Sequence, residues 1–224
     1  MTGWTVIIPV KPWGLAKSRL DLRDDDRMQV ARAFSLDVLG VVAATASVER
    51  IVVVTAEAEL GLRARRAGAK VVVDRPLLAR GLLNHAIDSG RRHALVEASD
   101  APIAVLPADL PSLTVETLGS ALELLAGEER SFVPDASGVG TTLLAAARPA
   151  LLTPHYGPQS ARCHERAGHV PVDAVDRRCR RDVDTAADLA EARYLGVGPH
   201  TTAALEQMTV TIREGRGRDR VAAG

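Results

Sequence analysis

Cationic and hydroxyl side chains gather in one segment that follows the first strand-like run of the chain. This segment, Lys11–Leu20, contains one glycine, one serine and three cations, namely Lys11, Lys17 and Arg19. Free backbone amides beside such cations suit the binding of phosphate groups. The segment is not a P-loop, because Gly14–Ser18 lacks both the glycine before the lysine and the earlier glycine. An anion-binding loop and an ordinary solvated basic loop both stay open at this point.

Carboxylates at two later places offer ligands for a hard cation. Asp109 lies between Pro107 and Pro111 directly after a buried strand-like run, which predicts a rigid side chain that points out of the sheet. Mg²⁺ usually takes one or two such carboxylates together with phosphate oxygens. The second carboxylate is Asp182 or Asp184, which we expect to point to opposite faces of an extended segment, so that only one reaches the metal. An Asx-type turn at Asp109 and a helix cap at the other aspartate are the alternative interpretations.

A third cluster combines hydroxyl groups with a glycine amide. It consists of Thr141, Thr142 and the segment Tyr156–Ser160, which precedes a predicted helix. Hydroxyls, a glycine amide and a helix N-terminus suit a second anion. The alternative is that Ser160 only caps that helix.

Two other groups of residues are weaker candidates. Four side chains are of types that bind zinc in other proteins: Cys163, His164, His169 and Cys179. Their spacing does not match a zinc site. The run Arg177–Arg181 is expected to be a solvated surface, although one arginine beside Asp182 lies within reach of a triphosphate.

Composition narrows the class of protein. The chain has 224 residues, of which 46% are hydrophobic and 25% charged, enough for a sizeable core without disulfides or structural metals. Equal numbers of basic and acidic residues, 28 each, argue against a general nucleic-acid-binding protein, and 3% aromatic residues argue against a base-stacking platform. With no apolar run of about 18 residues, no signal-peptide pattern and two cysteines, we expect a cytoplasmic α/β enzyme that does not span a membrane.

The elements that must position these residues alternate regularly in the first half. Four apolar runs read as strands: Thr5–Val10, Arg50–Thr55, Lys70–Val73 and Ile103–Leu106. Because they are hydrophobic at every position, they are typical of strands buried on both faces of a parallel sheet. The helical patterns between them span Val30–Val41, Glu57–Ala67 and Leu82–Glu97. Ligands of such a sheet bind beyond the carboxyl ends of the strands, where the Lys11–Leu20 and Asp109 loops fall.

The second half mixes strands and helices without a linker. Predicted strands span Ser131–Pro134, Gly140–Ala145 and Val170–Val172. Predicted helices span Thr114–Leu125, Gln159–Ala167, Ala186–Leu195 and Pro199–Met208, the third capped by Thr185 with Asp188. We therefore expect one domain over 1–210 and a disordered tail over 211–224.

Several motifs, taken in order, resemble the guanylyltransferases of coenzyme F420 biosynthesis. They are Pro9–Pro12 with Ala16–Leu20, Leu83–Asn84, Leu106–Pro111, Gly140–Leu144, Gly157–Ser160 and Asp182–Thr185. Each is weak alone, but their order is specific and covers nearly the whole chain. That family is similar to the MobA-like, GT-A-type nucleotidyltransferases. The resemblance implies a single-domain Rossmann-like α/β fold, with a mostly parallel sheet, helices on both faces and a small β-arm insertion.

The resemblance also implies a reaction. GMP passes from GTP to phosphoenolpyruvate, which gives enolpyruvoyl-2-diphospho-5′-guanosine and pyrophosphate, with Mg²⁺ as cofactor. The alternatives are 2-phospho-L-lactate or 3-phosphoglycerate as acceptor, a MobA-like enzyme with another acceptor, and a non-catalytic nucleotide-binding module. The implied partners are a downstream transferase, which takes the product, and further copies of the same chain in a homo-oligomer. Nucleic acid and membranes are not expected as partners.

The residues that match the family's motifs receive roles by resemblance. Those implied in catalysis are Lys17, Arg19 and Asp109. Those implied at the nucleotide are Lys11, Lys17, Ser18, Arg19 and, at the base or ribose, Asn84. Those implied at phosphoenolpyruvate are Thr142, Gly157 and Ser160. The implied metal ligands are Asp109 and Asp184, with Asp182 as the second choice for the latter. Ala108 stands where some relatives carry another acid near the metal.

Overall fold

Seven strands and seven α-helices make up the part of the chain that the computed structural model describes, residues 3–73 and 82–208. The strands are β1 (Trp4–Val10), β2 (Val48–Thr55), β3 (Lys70–Val73), β4 (Ile103–Val105), β5 (Arg130–Pro134), β6 (Thr141–Ala146) and β7 (Val170–Pro171). The helices are α1 (Asp24–Ala44), α2 (Ala58–Arg66), α3 (Leu82–Glu97), α4 (Val115–Leu125), α5 (Ser160–Arg166), α6 (Ala186–Leu195) and α7 (199–208). The predicted elements are thus confirmed, with ends that differ by a few residues.

The strands form one sheet in the order β3-β2-β1-β4-β6-β5-β7. β1 pairs in parallel with β2 and β4, β2 with β3, and β5 with β7. β6 is antiparallel to both of its neighbours, β4 and β5. The sheet is mostly parallel, as predicted. β5 and β6 form an antiparallel hairpin that belongs to this sheet.

Helices cover both faces of the sheet, which the buried strands require. Successive residues of a strand point to opposite faces, and accordingly Val6 and Ile8 pack with α1, α2 and α4, whereas Ile7 packs with α3 and α5. A smaller cluster joins α1 to α6 and α7 around Phe34 and Val183. The predicted fold class is therefore confirmed.

Local sequence signals explain several helix ends. Thr185 and Asp188 form the predicted capping box of α6, and Gly68 adopts a φ of 81° after α2, as expected for a residue that follows a helix. α1 begins at Asp24, earlier than its apolar stripe predicts, and its first turn carries three aspartates that favour a helix N-terminus. The domain bounds 1–210 stay a prediction, and the expected tail at 211–224 lies outside the described residues. No helix within those residues is long and apolar enough to cross a membrane.

Candidate active site

Lys17 lies at the centre of a charged cluster formed with Asp109 and Asp184. Its Nζ donates to Asp109 Oδ2 at 2.9 Å and to Asp184 Oδ1 at 3.1 Å. Its side chain is 8% exposed, whereas those of the two aspartates are 29% and 53% exposed. Burial alone would lower the pKa of Lys17, but the two carboxylates outweigh it and raise the pKa above its ordinary value. Lys17 is therefore a fixed positive charge between two carboxylates.

Three chain segments bring this charged cluster together at the carboxyl ends of β1 and β4. Lys17 belongs to the loop after β1 and adopts a φ of 55°, in the left-handed region. Asp109 follows β4, and its carbonyl accepts a hydrogen bond from the Val183 N–H at 3.1 Å. Since Val183 is fully buried, this bond fixes the segment that carries Asp184 beside Asp109.

A cavity of about 270 Å³ opens at the charged cluster. Its charged and hydroxyl lining residues are Lys11, Lys17, Ser18, Arg19, Ser35, Asp109 and Asp184. The sequence-predicted phosphate loop and the carboxylates therefore share one cavity. Lys11, Ser18 and Arg19 are exposed at its surface, where they are accessible to a ligand.

Trp13 fixes the loop between β1 and α1 to its surroundings. Its backbone N–H donates to Glu57 Oε1 at 2.8 Å, and its indole N–H donates to Ser35 on α1 at 3.3 Å. The loop is thereby attached to the α1 side of the cavity and to the start of α2. Trp13 carries no recognisable motif in the sequence, and its contribution becomes visible only in the structure.

Asp182 and Asp184 do not point to opposite faces, and that expectation is wrong. Residues two apart in an extended segment share a face, and the buried Val183 between them takes the other face. Asp182 accordingly senses both other carboxylates. Its pKa is raised to about 7, first by burial and then by repulsion from Asp109 and Asp184.

The donor set is compatible with a magnesium ion that also has phosphate ligands. Within residues 3–73 and 82–208, no group of three Asp, Glu, His or Cys side chains is arranged to hold a metal ion. Two carboxylates, Asp109 and Asp184, nevertheless share one cation, the ammonium of Lys17. Mg²⁺ commonly uses one or two carboxylates and completes its shell with water and substrate phosphates, so this pair fits it.

The predicted acceptor residues lie on β6 and before α5, and none of them is among the described residues that line the cavity. Thr142 is buried on β6, and its hydroxyl donates to the Cys179 carbonyl at 2.6 Å. Gly157 has a φ of 146°, a conformation that favours glycine, and Ser160 is the buried first residue of α5. The helix cap is Gln159, so the alternative interpretation of Ser160 as the N-cap is wrong.

Three side chains hold the segment 153–157, namely the half-buried Asn84 and the buried His164 and His169. Asn84 pairs with both backbone groups of Tyr156, at 2.8 and 2.9 Å. The His155 N–H donates to His164 Nε2 at 2.8 Å, and Thr153 Oγ1 lies 2.9 Å from His169 Nε2. Sequence reasoning missed the connection, because the partners are up to 72 residues apart.

The weaker candidates have structural contacts instead. Burial raises the pKa of Cys179 to about 11, so its thiol stays protonated. Cys179 packs on the α4 face of the sheet, whereas His164 contacts Phe132 on the α5 face. Arg180 forms an ion pair with Asp173, and Arg181 forms ion pairs with Asp188 and Glu191. These ion pairs stabilise the segment before Asp182.

A mostly parallel sheet with cations and carboxylates in one cavity beyond the carboxyl ends of its strands is typical of an α/β enzyme that binds a phosphorylated ligand. The chain belongs to the family described as guanylyl transferase CofC like, whose profile matches residues 4–223.

Curated relatives cover nearly the whole chain. A protein named phosphoenolpyruvate guanylyltransferase from Streptomyces coelicolor is 39% identical over 211 residues, which cover 92% of this chain and 98% of the relative. A protein of the same name from Salinispora arenicola is 42% identical over 202 residues, which cover 88% of this chain and 91% of the relative.

Solved structures share the fold at low sequence identity. A Desulfovibrio desulfuricans protein assigned as a nucleotide-diphospho-sugar transferase has a TM-score of 0.64 and 20% identity, covering 96% of this chain and 98% of its own. 4-Diphosphocytidyl-2C-methyl-D-erythritol synthase has a TM-score of 0.59 and 16% identity, covering 87% and 99%.

Proposed function

We propose that this protein transfers GMP from GTP to phosphoenolpyruvate, with release of pyrophosphate, in coenzyme F420 biosynthesis. The observation that carries this proposal is the Lys17 ammonium between Asp109 and Asp184, in a chain of the guanylyl transferase family. The relatives named phosphoenolpyruvate guanylyltransferase support the choice of acceptor. The product is enolpyruvoyl-2-diphospho-5′-guanosine.

The reaction is a displacement at the α-phosphorus of GTP. A phosphate oxygen of phosphoenolpyruvate forms a bond to this phosphorus, and the bond from it to the oxygen that bridges to the β-phosphate breaks. Phosphate monoesters have a second pKa of about 6, so the attacking oxygen is already ionised at neutral pH. Catalysis then requires alignment of the two substrates and stabilisation of the leaving pyrophosphate, rather than a general base.

The charged side chains of the cavity supply that stabilisation. Lys17 is held in place by its two carboxylates, while Arg19 and Lys11 are exposed at the rim. We propose that these three cations and Ser18 bind the triphosphate of GTP, and that Lys17 and Arg19 offset the charge that develops on the leaving group.

Asp109 and Asp184 are the proposed ligands of Mg²⁺, with Asp182 as the second choice for the latter. When bound, Mg²⁺ would neutralise part of the negative charge on the phosphate oxygens. Asp182 senses the charge of Asp109 and of Asp184, which supports its place as the second choice for the same cation.

Thr142, Gly157 and Ser160 are the proposed acceptor residues. The Thr142 hydroxyl already donates to the Cys179 carbonyl, so it would have to leave this partner to bind an anion. The assignment of Asn84 to the base or ribose of GTP stays a prediction. Both amide atoms of its side chain are already bonded to the Tyr156 backbone, so a contact with GTP would compete with these bonds. A downstream transferase as recipient of the product, a cytoplasmic location and a homo-oligomer are also part of the proposal.

One competition experiment tests the reaction and the acceptor together. The protein is incubated with GTP, Mg²⁺ and equal amounts of phosphoenolpyruvate, 2-phospho-L-lactate and 3-phosphoglycerate, and the products are separated by mass. We expect the enolpyruvoyl product with stoichiometric pyrophosphate. A product from another acid would identify that acid as the acceptor. If no product forms with any of the three acids, an acceptor of another class is favoured. If GTP binds but no acceptor of any class is converted, the protein is a non-catalytic nucleotide-binding module.

A further inference from the structure

The side-chain amide of Asn84 binds both backbone groups of one residue across the site. Its Oδ1 accepts from the Tyr156 N–H at 2.8 Å, and its Nδ2 donates to the Tyr156 carbonyl at 2.9 Å. An amide has one acceptor end and one donor end, so this pairing fixes both the position and the direction of the Tyr156 backbone. Asn84 lies at the start of α3, which packs against β1 and β2, and is therefore a rigid anchor.

Two histidines also attach the same segment. His164 Nε2 accepts from the His155 N–H, and this leaves its Nδ1 as the protonated nitrogen that faces Thr141 Oγ1 at 2.9 Å. His169 contacts Thr153 at 2.9 Å. The segment 153–157 thus has three side-chain attachments, of which Asn84 provides the one from α3.

The Tyr156 side chain places a buried hydroxyl near Asp109. The ring packs edge-on against His164, with centroids 5.1 Å apart. The hydroxyl is buried and has no hydrogen-bond partner among the described residues. Burial, and then the negative charge of Asp109, raises the pKa of Tyr156, so the hydroxyl stays protonated and remains a donor. A buried donor without a partner favours an incoming acceptor oxygen.

We propose that Asn84 is a positioning residue for the acceptor, which fixes the Tyr156 backbone so that the Tyr156 hydroxyl and the Gly157 amide meet an anionic oxygen of the phosphorylated acid. This inference rests on the proposed function. It differs from the assignment of Asn84 to the base or ribose of GTP, and the two make opposite predictions for the Michaelis constants.

Steady-state kinetics separate the two roles. Asn84→Ala is compared with His85→Ala, which changes the exposed neighbouring residue of α3. We expect Asn84→Ala to raise the KM for phosphoenolpyruvate about tenfold, as the loss of two hydrogen bonds predicts, while the KM for GTP stays within twofold of wild type, roughly the error of such differences. Tyr156→Phe removes only the hydroxyl and is expected to raise the same KM by about fivefold. His85→Ala is expected to change neither constant.

Hydrogen exchange measures the positioning without turnover. In the protein free of ligands, we expect a peptide over 152–157 to exchange faster in Asn84→Ala than in wild type, because the Tyr156 N–H loses its acceptor. A peptide over β6 is expected to be unchanged. If Asn84→Ala does not fold, Asn84→Leu serves instead, since it keeps the approximate volume of the side chain but removes both hydrogen bonds to Tyr156.

Two results would overturn the inference. One is a raised KM for GTP with an unchanged KM for phosphoenolpyruvate, which would place Asn84 at the nucleotide. The other is unchanged exchange over 152–157. If wild type forms no product with any of the acids, the proposed function fails, while the exchange comparison still decides whether Asn84 fixes the segment.

Discussion

The charged cluster and the segment 153–160, which extends the segment 153–157 to the first residue of α5, are built on different principles. The charged cluster places Lys17 between Asp109 and Asp184, and the exposed Lys11 and Arg19 stand at the cavity rim. The segment 153–160 carries no acidic or basic residue other than His155 and is held by hydrogen bonds to the half-buried Asn84 and to the buried His164.

The difference shows how one site can bind two anions with distinct demands. A triphosphate carries several negative charges and therefore needs charged partners. In the free protein these partners neutralise one another, as Lys17 does with Asp109 and Asp184. A small acid must instead be aligned within a narrow tolerance for displacement at phosphorus, and a fixed backbone meets that demand. Substitutions in the charged cluster should therefore reduce turnover, and substitutions near the segment 153–160 should change acceptor affinity.

The largest expected effect is that of Asp109→Asn. It keeps the shape of the side chain but removes a charge that faces Lys17 and the proposed cation. We expect kcat to fall about 10²–10³-fold, the range seen when one electrostatic contact to a transition state is lost. Pyrophosphate release measures it, and the matched control is Asp100→Asn, at an exposed site. Turnover close to wild type in the variant would remove Asp109 from the metal site.

Lys17→Met should have the next largest effect, because it leaves Asp109 and Asp184 without their shared cation. We expect kcat/KM for GTP to fall about 100-fold, as for the loss of one fixed charge in a catalytic site. Lys70→Met is the matched control, since Lys70 is an exposed lysine of β3. If the KM for phosphoenolpyruvate changed more than that for GTP, the division between the two regions would be wrong.

Ser160→Ala tests the acceptor region with a smaller effect. Ser160 is buried at the start of α5, directly after the fixed segment. We expect the KM for phosphoenolpyruvate to rise about tenfold with little change in the KM for GTP. The control is Ser99→Ala, which alters an exposed serine. An equal rise in both Michaelis constants would mean that the two anions share this hydroxyl.

Sequence alone was sufficient for most of the fold and for the charged cluster. Apolar runs buried on both faces define the strands of a parallel sheet, and the rule that ligands bind beyond their carboxyl ends brings Lys17 and Asp109 together. The attachments of the segment 153–157 were not predictable, because they join residues such as Asn84 and Tyr156 across 72 positions without a local pattern. The prediction that the Asp182 and Asp184 side chains point to opposite faces was wrong, although the alternation of side chains in an extended segment would have corrected it.

The smallest expected effect is on the pH dependence of stability rather than on turnover. Measuring it tests whether the attachment of the segment 153–160 requires His164 to be neutral. Burial, and then the neighbouring His169 and His155, lowers the pKa of His164 from 6.5 to about 3. Protonation would also place a proton on the Nε2 atom that accepts from the His155 N–H. The unfolded chain therefore binds more protons than the folded chain between these two values. This contribution to stability is complete above pH 6.5 and is lost as the pH falls toward 3.

Urea unfolding of wild type and His164→Gln at a series of pH values from neutral to mildly acidic isolates this contribution. The variant should be less stable at neutral pH, but its free energy of unfolding should decrease less steeply on acidification. Asp182 has a raised pKa and acts in the opposite direction, since it favours the folded state as the pH falls. Because Asp182 is present in both proteins, the difference between their slopes belongs to His164. Equal slopes would show that His164 is not the group that makes the segment 153–160 sensitive to acid.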